Sequence, residues 1–430
     1  MKRTVSSAQG WLAVSPLLVF LLVYLVSSII AGDFYKVPVS TAFVISSIYS
    51  IMICKGHKLD ERVKIFSSGA SDSNVLLMIW IFILAGAFAS SAKAIGSIEA
   101  TVNLALMILP GKLIFAGLFL AACFISMSIG TSVGTVVALV PIATGIAQDT
   151  GMSIPMIVAI IVGGAFFGDN LSFISDTTIA ATNTQGCSMS DKFKVNIWIA
   201  APAAFIVALV YLILGLSVDA VPDVQSVQWV LVVPYLAIII LAICGINVLA
   251  VLVVGIVLNA LIGFAMGSYD WFGFLASAGD GIIGMAELII VTMLAAGMLA
   301  IIKECGGLTF IIESLTSRIK GKKGAQFSIA ALVVLSNFCT ANNTISIITT
   351  GGIAKDVSEK FGVDPRKSAS ILDTFSCFAQ SILPYGAQML MASGLAGVSA
   401  VSIIGYLYYP FVLVLIAVAA ILFRFPRKYS

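Results

Sequence analysis

Long apolar segments recur along this chain and are separated by short polar stretches. Segments of about 20 residues are long enough to cross the hydrocarbon core of a bilayer as α-helices. The short alternating segments of a membrane β-barrel are not seen. The first two segments, Trp11–Ala31 and about Pro38–Cys54, predict two full helices, and the first is long for the core of a cleaved signal peptide. The pattern predicts an all-α polytopic membrane protein.

Two apolar segments are too long for a single crossing and are broken in the middle by small polar residues. They are Leu113–Ala147, with a break at Gly130–Thr135, and Phe327–Ala354, with a break at Thr340–Thr344. At roughly 1.5 Å per residue, the first would form a helix of more than about 50 Å. We therefore predict two re-entrant hairpins whose polar tips lie in a protein-lined or hydrated cavity. The alternative is a pair of short full helices joined by a tight turn.

Two further apolar segments contain polar or helix-breaking interruptions. The first interruption is Gly168–Asp176, and the second is Leu383–Gly386, where Pro384 and Gly386 are unfavourable in a helix interior. These segments predict two interrupted transmembrane helices.

The chain also resembles itself at a shift of 211 positions. This shift places Gly86 on Gly297 and Gly151 on Gly362, and both copies keep the same order of parts. Such an arrangement predicts an internal repeat of the transporter type. The predicted organisation is a two-helix N-terminal segment (1–67), transport repeat 1 (68–194), connecting transmembrane helices (195–278), transport repeat 2 (279–395), and a C-terminal helix with a basic tail (396–430).

Composition confirms the membrane class, because 60% of the residues are hydrophobic and only 10% are charged, whereas soluble domains carry about 25% charged residues. The net charge of +3 is less informative than the placement of the charges. Basic loops stay in the cytoplasm. The basic loop at 55–64 and the Lys2–Arg3 pair therefore predict a cytoplasmic N-terminus, and the acidic loop with Asp219 and Asp223 predicts an external segment.

The same rule orients the two copies. Charges between 93 and 153 sum to zero, whereas 303–367 holds nine Lys and Arg against five Asp and Glu. The basic group, which includes Arg318, falls on the cytoplasmic side only if the copies point in opposite directions. We therefore predict inverted repeats, cytoplasmic N- and C-termini, and insertion in a bacterial inner membrane.

The stretch Gly163–Thr178 (GGAFFGDNLSFISDTT) carries the candidate chemistry. It places Asp169 and Asp176 inside an apolar segment, and Asp373 lies in the corresponding part of the second copy. An ionisable group at membrane depth costs about 2.5–3.5 kcal/mol and is therefore a candidate functional residue. The alternative for each acid is a buried ion pair or a hydrogen-bonded packing role. Further oxygen donors are Asn170, Ser172, Ser175, Thr177 and Thr374 on the interrupted helices, and Thr131, Ser132, Asn342 and Asn343 at the hairpin tips.

These residue types favour a small hard cation, with Asp169 and Asp176 as its ligands. Exposed helix N-termini would favour an anion instead, but three membrane acids without a buried arginine favour cations. A carboxyl group in a partly dry site holds a proton until a cation displaces it, so competition alone produces exchange. We expect no cofactor and no nucleic-acid partner. The absence of a nucleophile–base pair is evidence against an enzyme, and a passive channel is a further alternative.

Three stretches resemble the NhaC family of Na⁺/H⁺ antiporters in the ion transporter superfamily. Gly168–Thr178 is similar to its GD-x-(M/L)-S-P-L-S-DTT signature, and Gly130–Thr135 is similar to its GTSWGT stretch. Asp373-Thr374 followed by Ser381–Tyr385 is similar to its D-(S/T)…SPLIPW region. The resemblance covers about residues 68–395. It implies inverted repeats with re-entrant hairpins, a homodimer, elevator-like alternating access and exchange of Na⁺ for H⁺.

The chain departs from the family pattern near the site. Phe173 stands where the family usually has Pro, and Tyr385 and Val133 stand where it has Trp. The segment after Thr340 also shares little with the usual GSQ-type tip. Because these changes surround the site, a Na⁺- or H⁺-coupled exchanger of a small organic anion such as malate or lactate is the alternative function.

Overall fold

The computed structural model describes residues 7–31, 38–108, 111–172, 175–216, 227–244, 246–316 and 319–429. The regular structure in these ranges is entirely helical. Seven of the described helices are long and apolar enough to cross a membrane. The charged residues Lys2, Arg3, Asp219, Asp223 and Arg318 used in the topology prediction, and Phe173 of the signature, lie outside the described residues.

The described part of the first half contains ten α-helices. They are α1 (Ser7–Ala31), α2 (Val39–Ile53), α3 (Leu59–Ala70), α4 (Ser73–Ala94), α5 (Ser97–Ile108), α6 (Ile114–Ile129), α7 (Ser132–Thr150), α8 (Ile154–Leu171), α9 (Asp176–Gln185) and α10 (Met189–Gly215).

The described part of the second half contains eleven. They are α11 (Trp229–Ile243), α12 (Val248–Met266), α13 (Trp271–Gly284), α14 (Ala286–Glu304), α15 (Gly307–Thr316), α16 (Gly321–Thr340), α17 (Asn343–Phe361), α18 (Pro365–Ser381), α19 (Ala387–Ala396), α20 (Ala400–Ile404) and α21 (Tyr408–Leu422).

The helix bounds recur at the spacing of 211 residues found in the sequence. Helices α7 and α17 begin and end 211 positions apart, and so do α9 and α19. The two longer helices end at Gly151 (φ 69°) and Gly362 (φ 68°). Glycine takes this left-handed C-terminal position without the strain that a Cβ atom would introduce. The same local chemistry therefore ends corresponding helices in both halves.

The packing of the helices is reciprocal between the halves. Helix α4 packs against α13 as α14 packs against α3, and α7 packs against α19 as α17 packs against α9. The same two kinds of contact therefore occur twice, with the halves of the chain exchanged. One contact depends on glycine, because a Cβ atom at Gly86 would overlap the carbonyl oxygen of Gly281. Small residues at such crossings let two helix backbones touch.

The breaks in the two long apolar segments are shorter than the sequence predicted. Helix α7 begins at Ser132 and α17 at Asn343, so only Gly130–Thr131 and Ala341–Asn342 are non-helical. Ala341 takes a left-handed conformation with φ 50°, which is unusual for a residue other than glycine. The N-cap Asn342 accepts a hydrogen bond from the backbone N–H of Ile345 (3.0 Å), and this cap lets helix start immediately after the break.

The first interrupted helix is also more regular than predicted. Asp169 and Asn170 lie in the last turn of α8 rather than in an unwound stretch, and Asp176 is the first residue of α9. The helix continues because Ser172 N–H donates to the Gly168 carbonyl (2.7 Å). It restarts because Ser175 Oγ accepts from the Thr178 N–H (3.3 Å), which is a standard N-cap.

The second interruption agrees closely with its prediction, since α18 ends at Ser381 and α19 begins at Ala387, with Pro384 between them. The last helix differs. The sequence predicted one helix over about Val401–Phe423, but α20 and α21 are separated by Gly405–Leu407. Pro410 explains this break, because proline lacks an N–H and its ring would clash with the carbonyl four residues earlier.

The basic loop predicted at 55–64 is partly helical. Helix α3 begins at Leu59, and Glu61 Oε2 accepts from the Lys58 backbone N–H (3.0 Å), which caps its first turn. The imidazole of His57, in the same loop, lies 3.5 Å from Glu61 and 3.3 Å from Glu304 at the end of α14. This loop therefore packs on the second half of the chain.

Candidate ion-binding site

A cavity of about 250 Å³ lies where the helix breaks of the two halves meet. Its apolar side comes from α4, and its polar side comes from both halves of the chain. Seven of the residues predicted from the sequence line it: Thr131, Ser132, Asp169, Asp176, Thr177, Asn342 and Asn343. Asn170, Ser172, Ser175, Asp373 and Thr374 are not among its lining residues.

Asp169 is the buried acid of this cavity, with an exposed fraction of 4%. Its Oδ2 accepts a hydrogen bond from Ser132 Oγ (2.5 Å), and its Oδ1 accepts from the Ser132 backbone N–H (3.1 Å). That N–H belongs to the first turn of α7, where the helix dipole favours a negative charge. Gln388 Nε2 in turn donates to Ser132 Oγ (2.9 Å) and fixes the hydroxyl. The site thus supplies donors that support an ionised carboxylate.

Asp176 is the accessible acid, because its side chain is exposed where α9 begins at the cavity. The short break links it to Asp169. Ser175 Oγ donates to the Asp169 carbonyl (2.9 Å), and Thr177 Oγ1 approaches the same carbonyl at 3.4 Å. Two carboxyl groups of different exposure therefore share one cavity, and hydrogen bonds from the start of α9 reach the Asp169 carbonyl.

Among the described residues, the second half of the chain contributes amide side chains, and not carboxylates, to the lining of this cavity. The shift of 211 positions places Gln380 opposite Asp169. Gln380 Nε2 donates to the Ala341 carbonyl (3.2 Å) and to Gln388 Oε1 (3.0 Å), which joins the break at Ala341 to α19. The architecture is duplicated, but the negative charge lies on one side.

Asp373 has a different environment. It is fully buried in α18, and its Oδ2 lies 2.7 Å from the Nζ atom of Lys192, which is itself 1% exposed. The sequence offered no buried arginine as a partner for the membrane acids, and the pairing of Asp373 with this lysine was not predicted. A signal was present, since Lys192 and Asn196 are four residues apart and lie on one face of α10. Thr374, beside Asp373, is also buried.

A wider cavity of about 640 Å³ adjoins the first and shares Met78, Asn342, Ile345 and Ala387 with it. The charged residues Lys64, Asp72, Lys303 and Glu304 also line this wider cavity. Charged side chains from α3, the turn after it and the end of α14 therefore lie in a cavity that adjoins the site of Asp169 and Asp176.

Comparison with known proteins identifies the family. A family model described as the Na⁺/H⁺ antiporter family matches residues 5–216 and 221–426, which is nearly the whole chain. The chain belongs to the Na⁺/H⁺ antiporter family. The resemblance noted in the sequence is thereby confirmed.

Relatives within and around this family differ in the solutes that their names give. The malate-2H⁺/Na⁺-lactate antiporter of Bacillus subtilis is 21% identical over 420 residues, covering 90% of this chain and 89% of the relative. The Na⁺/H⁺ antiporter NhaC of Alkalihalophilus pseudofirmus is 26% identical over 328 residues, covering 69% of each chain. The arginine/ornithine antiporter ArcD of Halobacterium salinarum is 24% identical over 341 residues, covering 70% of this chain and 68% of the relative.

Proposed function

We propose that this antiporter family member exchanges Na⁺ for H⁺ across the bilayer, and that the exchange occurs at Asp169 and Asp176. The observation that carries the proposal is the shared cavity, in which one carboxylate is buried and hydrogen-bonded and the other is accessible. Carboxylate, hydroxyl and amide oxygens are hard ligands that suit a small hard cation. The relative named NhaC, from Alkalihalophilus pseudofirmus, is a Na⁺/H⁺ antiporter by name.

Exchange follows from competition between the two cations. A carboxyl group in a partly dry site is more stable when neutral, so in the absence of metal it holds a proton. Na⁺ binding requires the ionised form and therefore releases the proton. The site holds either Na⁺ or H⁺ at each opening, and alternating access couples their opposite movements.

The proposed architecture is an inverted repeat with two re-entrant hairpins, formed by α6–α7 and α16–α17. Support comes from the recurrence of helix bounds, the reciprocal packing and the charge asymmetry between 93–153 and 303–367. We propose a larger repeat unit than the predicted 68–194 and 279–395, namely α1–α10 and α11–α21, which correspond to the two segments matched by the family model.

The membrane arrangement follows from this architecture. We propose a bacterial inner-membrane protein with cytoplasmic termini, assembled as a homodimer, with elevator-like movement of the site. The basic residues Lys64 and Lys303 at the wider cavity suit a route that opens to the cytoplasm.

The test is transport by the purified protein in liposomes that contain no organic solute. A sodium gradient is imposed, and the internal pH is followed with a fluorescent dye. We expect a sodium-dependent pH change that is abolished in Asp169→Asn and Asp176→Asn, while Asp191→Asn on the exposed start of α10 retains it. Reconstituted wild-type protein that produces no pH change at any pH tested excludes plain Na⁺/H⁺ exchange.

One observation favours the organic-anion alternative. The starts of α7, α9, α17 and α19 all line the same cavity, and helix N-termini favour anions. Adding malate or lactate to the same liposomes separates the two functions. Exchange that requires the organic anion, together with counterflow of labelled malate or lactate, supports the alternative and not the plain antiporter.

A further inference from the structure

The ammonium group of Lys192 is held by three oxygens from three different helices. Its Nζ atom lies 2.6 Å from the Asn170 carbonyl oxygen on α8, 2.7 Å from Thr178 Oγ1 on α9, and 2.7 Å from Asp373 Oδ2 on α18. An ammonium has three N–H donors, so these contacts use all of them. The group is buried, with 1% of the residue exposed.

The three oxygens form the kind of set that binds a hard metal cation. They comprise a carboxylate, a main-chain carbonyl and a hydroxyl, and hard cations take such ligands at about 2.3–2.6 Å. The Asn170 carbonyl belongs to the last turn of α8, where the helix dipole is negative. The position would therefore attract a cation even without the lysine.

The neighbouring asparagine side chains hold two of these oxygens in place and add buried acceptors. Asn196 Nδ2 donates to the Asn170 carbonyl (3.0 Å) and to Asp373 Oδ2 (2.9 Å), which holds both oxygens in place. The side-chain carbonyls of Asn170 and Asn196 are buried and accept no hydrogen bond from the part of the chain that the structure describes. An excess of buried acceptors over donors is unfavourable unless a cation lies nearby.

We propose that Asp373, Asn170 and Thr178 form a second cation-binding position, in which the Lys192 ammonium takes the place of a free Na⁺. The proposal rests on the proposed Na⁺ site, since Asp169 and Asn170 are consecutive residues in one turn of α8 and serve the two positions. The position by Asp169 opens to the cavity and exchanges its cation. The position by Asp373 keeps a cation tethered to α10, so it contributes no exchangeable ion.

The tethered cation has a structural consequence for transport. Lys192 joins the end of α8, the start of α9 and the middle of α18, so the interrupted helix stays attached to α18 whichever ion is bound at Asp169. Removing the ammonium leaves a buried uncompensated carboxylate. Free Na⁺ would relieve that imbalance by binding in the vacated position.

The experiment counts the Na⁺ bound by purified protein. Binding of radioactive ²²Na⁺ is titrated at alkaline pH for wild type, Lys192→Ala and the double variant Lys192→Ala/Asp373→Asn. We expect Lys192→Ala to bind one Na⁺ more per chain than wild type, and the double variant to bind the wild-type number. The matched control is Lys194→Ala, on the same helix and 58% exposed, which should bind the wild-type number.

Thermal unfolding gives an independent measurement. Na⁺ should raise the Tm of Lys192→Ala more than it raises that of wild type, with choline at equal ionic strength as the reference. A role of Lys192 in packing alone would not produce this extra sodium dependence. A folded Lys192→Ala variant with the wild-type Na⁺ count and Tm shift overturns the proposal.

Poor folding of Lys192→Ala also decides the question. Recovery of folded protein in Na⁺ but not in choline supports the proposal, and failure in both overturns it. The result is separable from the proposed function. A wild-type protein without Na⁺/H⁺ exchange refutes the transport assignment, whereas the extra Na⁺ of Lys192→Ala depends only on the vacated oxygens.

Discussion

The hydroxyl of Ser132 is the most direct means of changing the competition between Na⁺ and H⁺ without removing an acid. It donates to Asp169 Oδ2 at 2.5 Å, while the Ser132 backbone N–H donates separately to Oδ1. Ser132→Ala removes the first bond and keeps the second. A hydrogen bond to a charged group contributes about 1.5–3 kcal/mol. A free-energy change of about 1.4 kcal/mol is a tenfold change in an equilibrium constant. Losing this bond therefore shifts the equilibrium between the ionised and the protonated carboxyl group about 10- to 150-fold towards the protonated form.

The direction of the effect on transport follows from this loss. The protonated form becomes relatively more stable, so protons compete better and more Na⁺ is needed at a given pH. We expect the Na⁺ concentration for half-maximal exchange to rise about tenfold or more at neutral pH. The difference should shrink as the pH rises, because the competing protons become scarce.

The assay is sodium-driven pH change in liposomes, measured as a matrix of Na⁺ concentrations and pH values. Ser128→Ala is the matched control, because its hydroxyl donates to the Phe124 carbonyl of its own helix (2.8 Å) and not to an acid. The reasoning is refuted if folded Ser132→Ala has the wild-type Na⁺ dependence at every pH, or if its defect is the same at all pH values.

Three further outcomes test other parts of the structure. Gly168→Ala should destabilise the protein by about 1–3 kcal/mol in a thermal melt, since its Cβ would overlap the Ser126 side chain on α6. Gly352→Ala is the control, because its Cβ meets no described atom within 4 Å, and its stability should be near that of wild type. Asp176→Asn should abolish exchange with little change in Tm, because its side chain is exposed. The hydrogen bond from Arg366 lowers the pKa of Asp364, so this pair stabilises the start of α18 at neutral pH. That stability should be lost only as the pH falls through the lowered pKa, and hydrogen exchange of α18 as a function of pH would detect this.

Local chemistry explains why much of the helical framework was predictable. Helix is locally unfavourable at Gly130, at Pro384 and among the polar groups around Asp176. The structure has a helix break at each of these places. The extent of each break was not predictable in the same way. Asp169 lies in a helix because α8 continues to Leu171, where the Ser172 N–H closes the last turn on the Gly168 carbonyl, and nothing in the residue types requires that bond.

Contacts between distant segments were harder to infer. Lys192 stands in a polar stretch before an apolar segment, where a lysine ordinarily reaches the membrane surface. Its burial depends on how α10 crosses α18, which brings it to Asp373, 181 positions further along the chain. The hydrophobic pattern of α10 alone does not indicate how α10 and α18 cross. A buried acid in such a segment is therefore a reason to search for a cation on every helix, lysine included.

The unequal charge of the two halves has a physical origin at the starts of α7 and α17. Asn342 caps α17 with its own side chain, whereas Thr131 at the corresponding position makes no side-chain cap within the described residues. The cap at Asn342 uses the N–H of Ile345, the third residue of α17, whereas Asp169 accepts from Ser132, the first residue of α7. The positive end of α7 offsets the unfavourable placement of the Asp169 carboxylate in the last turn of α8. The neutral Gln380 needs no such compensation from α17. Corresponding helix starts in the two halves can thus differ in whether they hold a carboxylate.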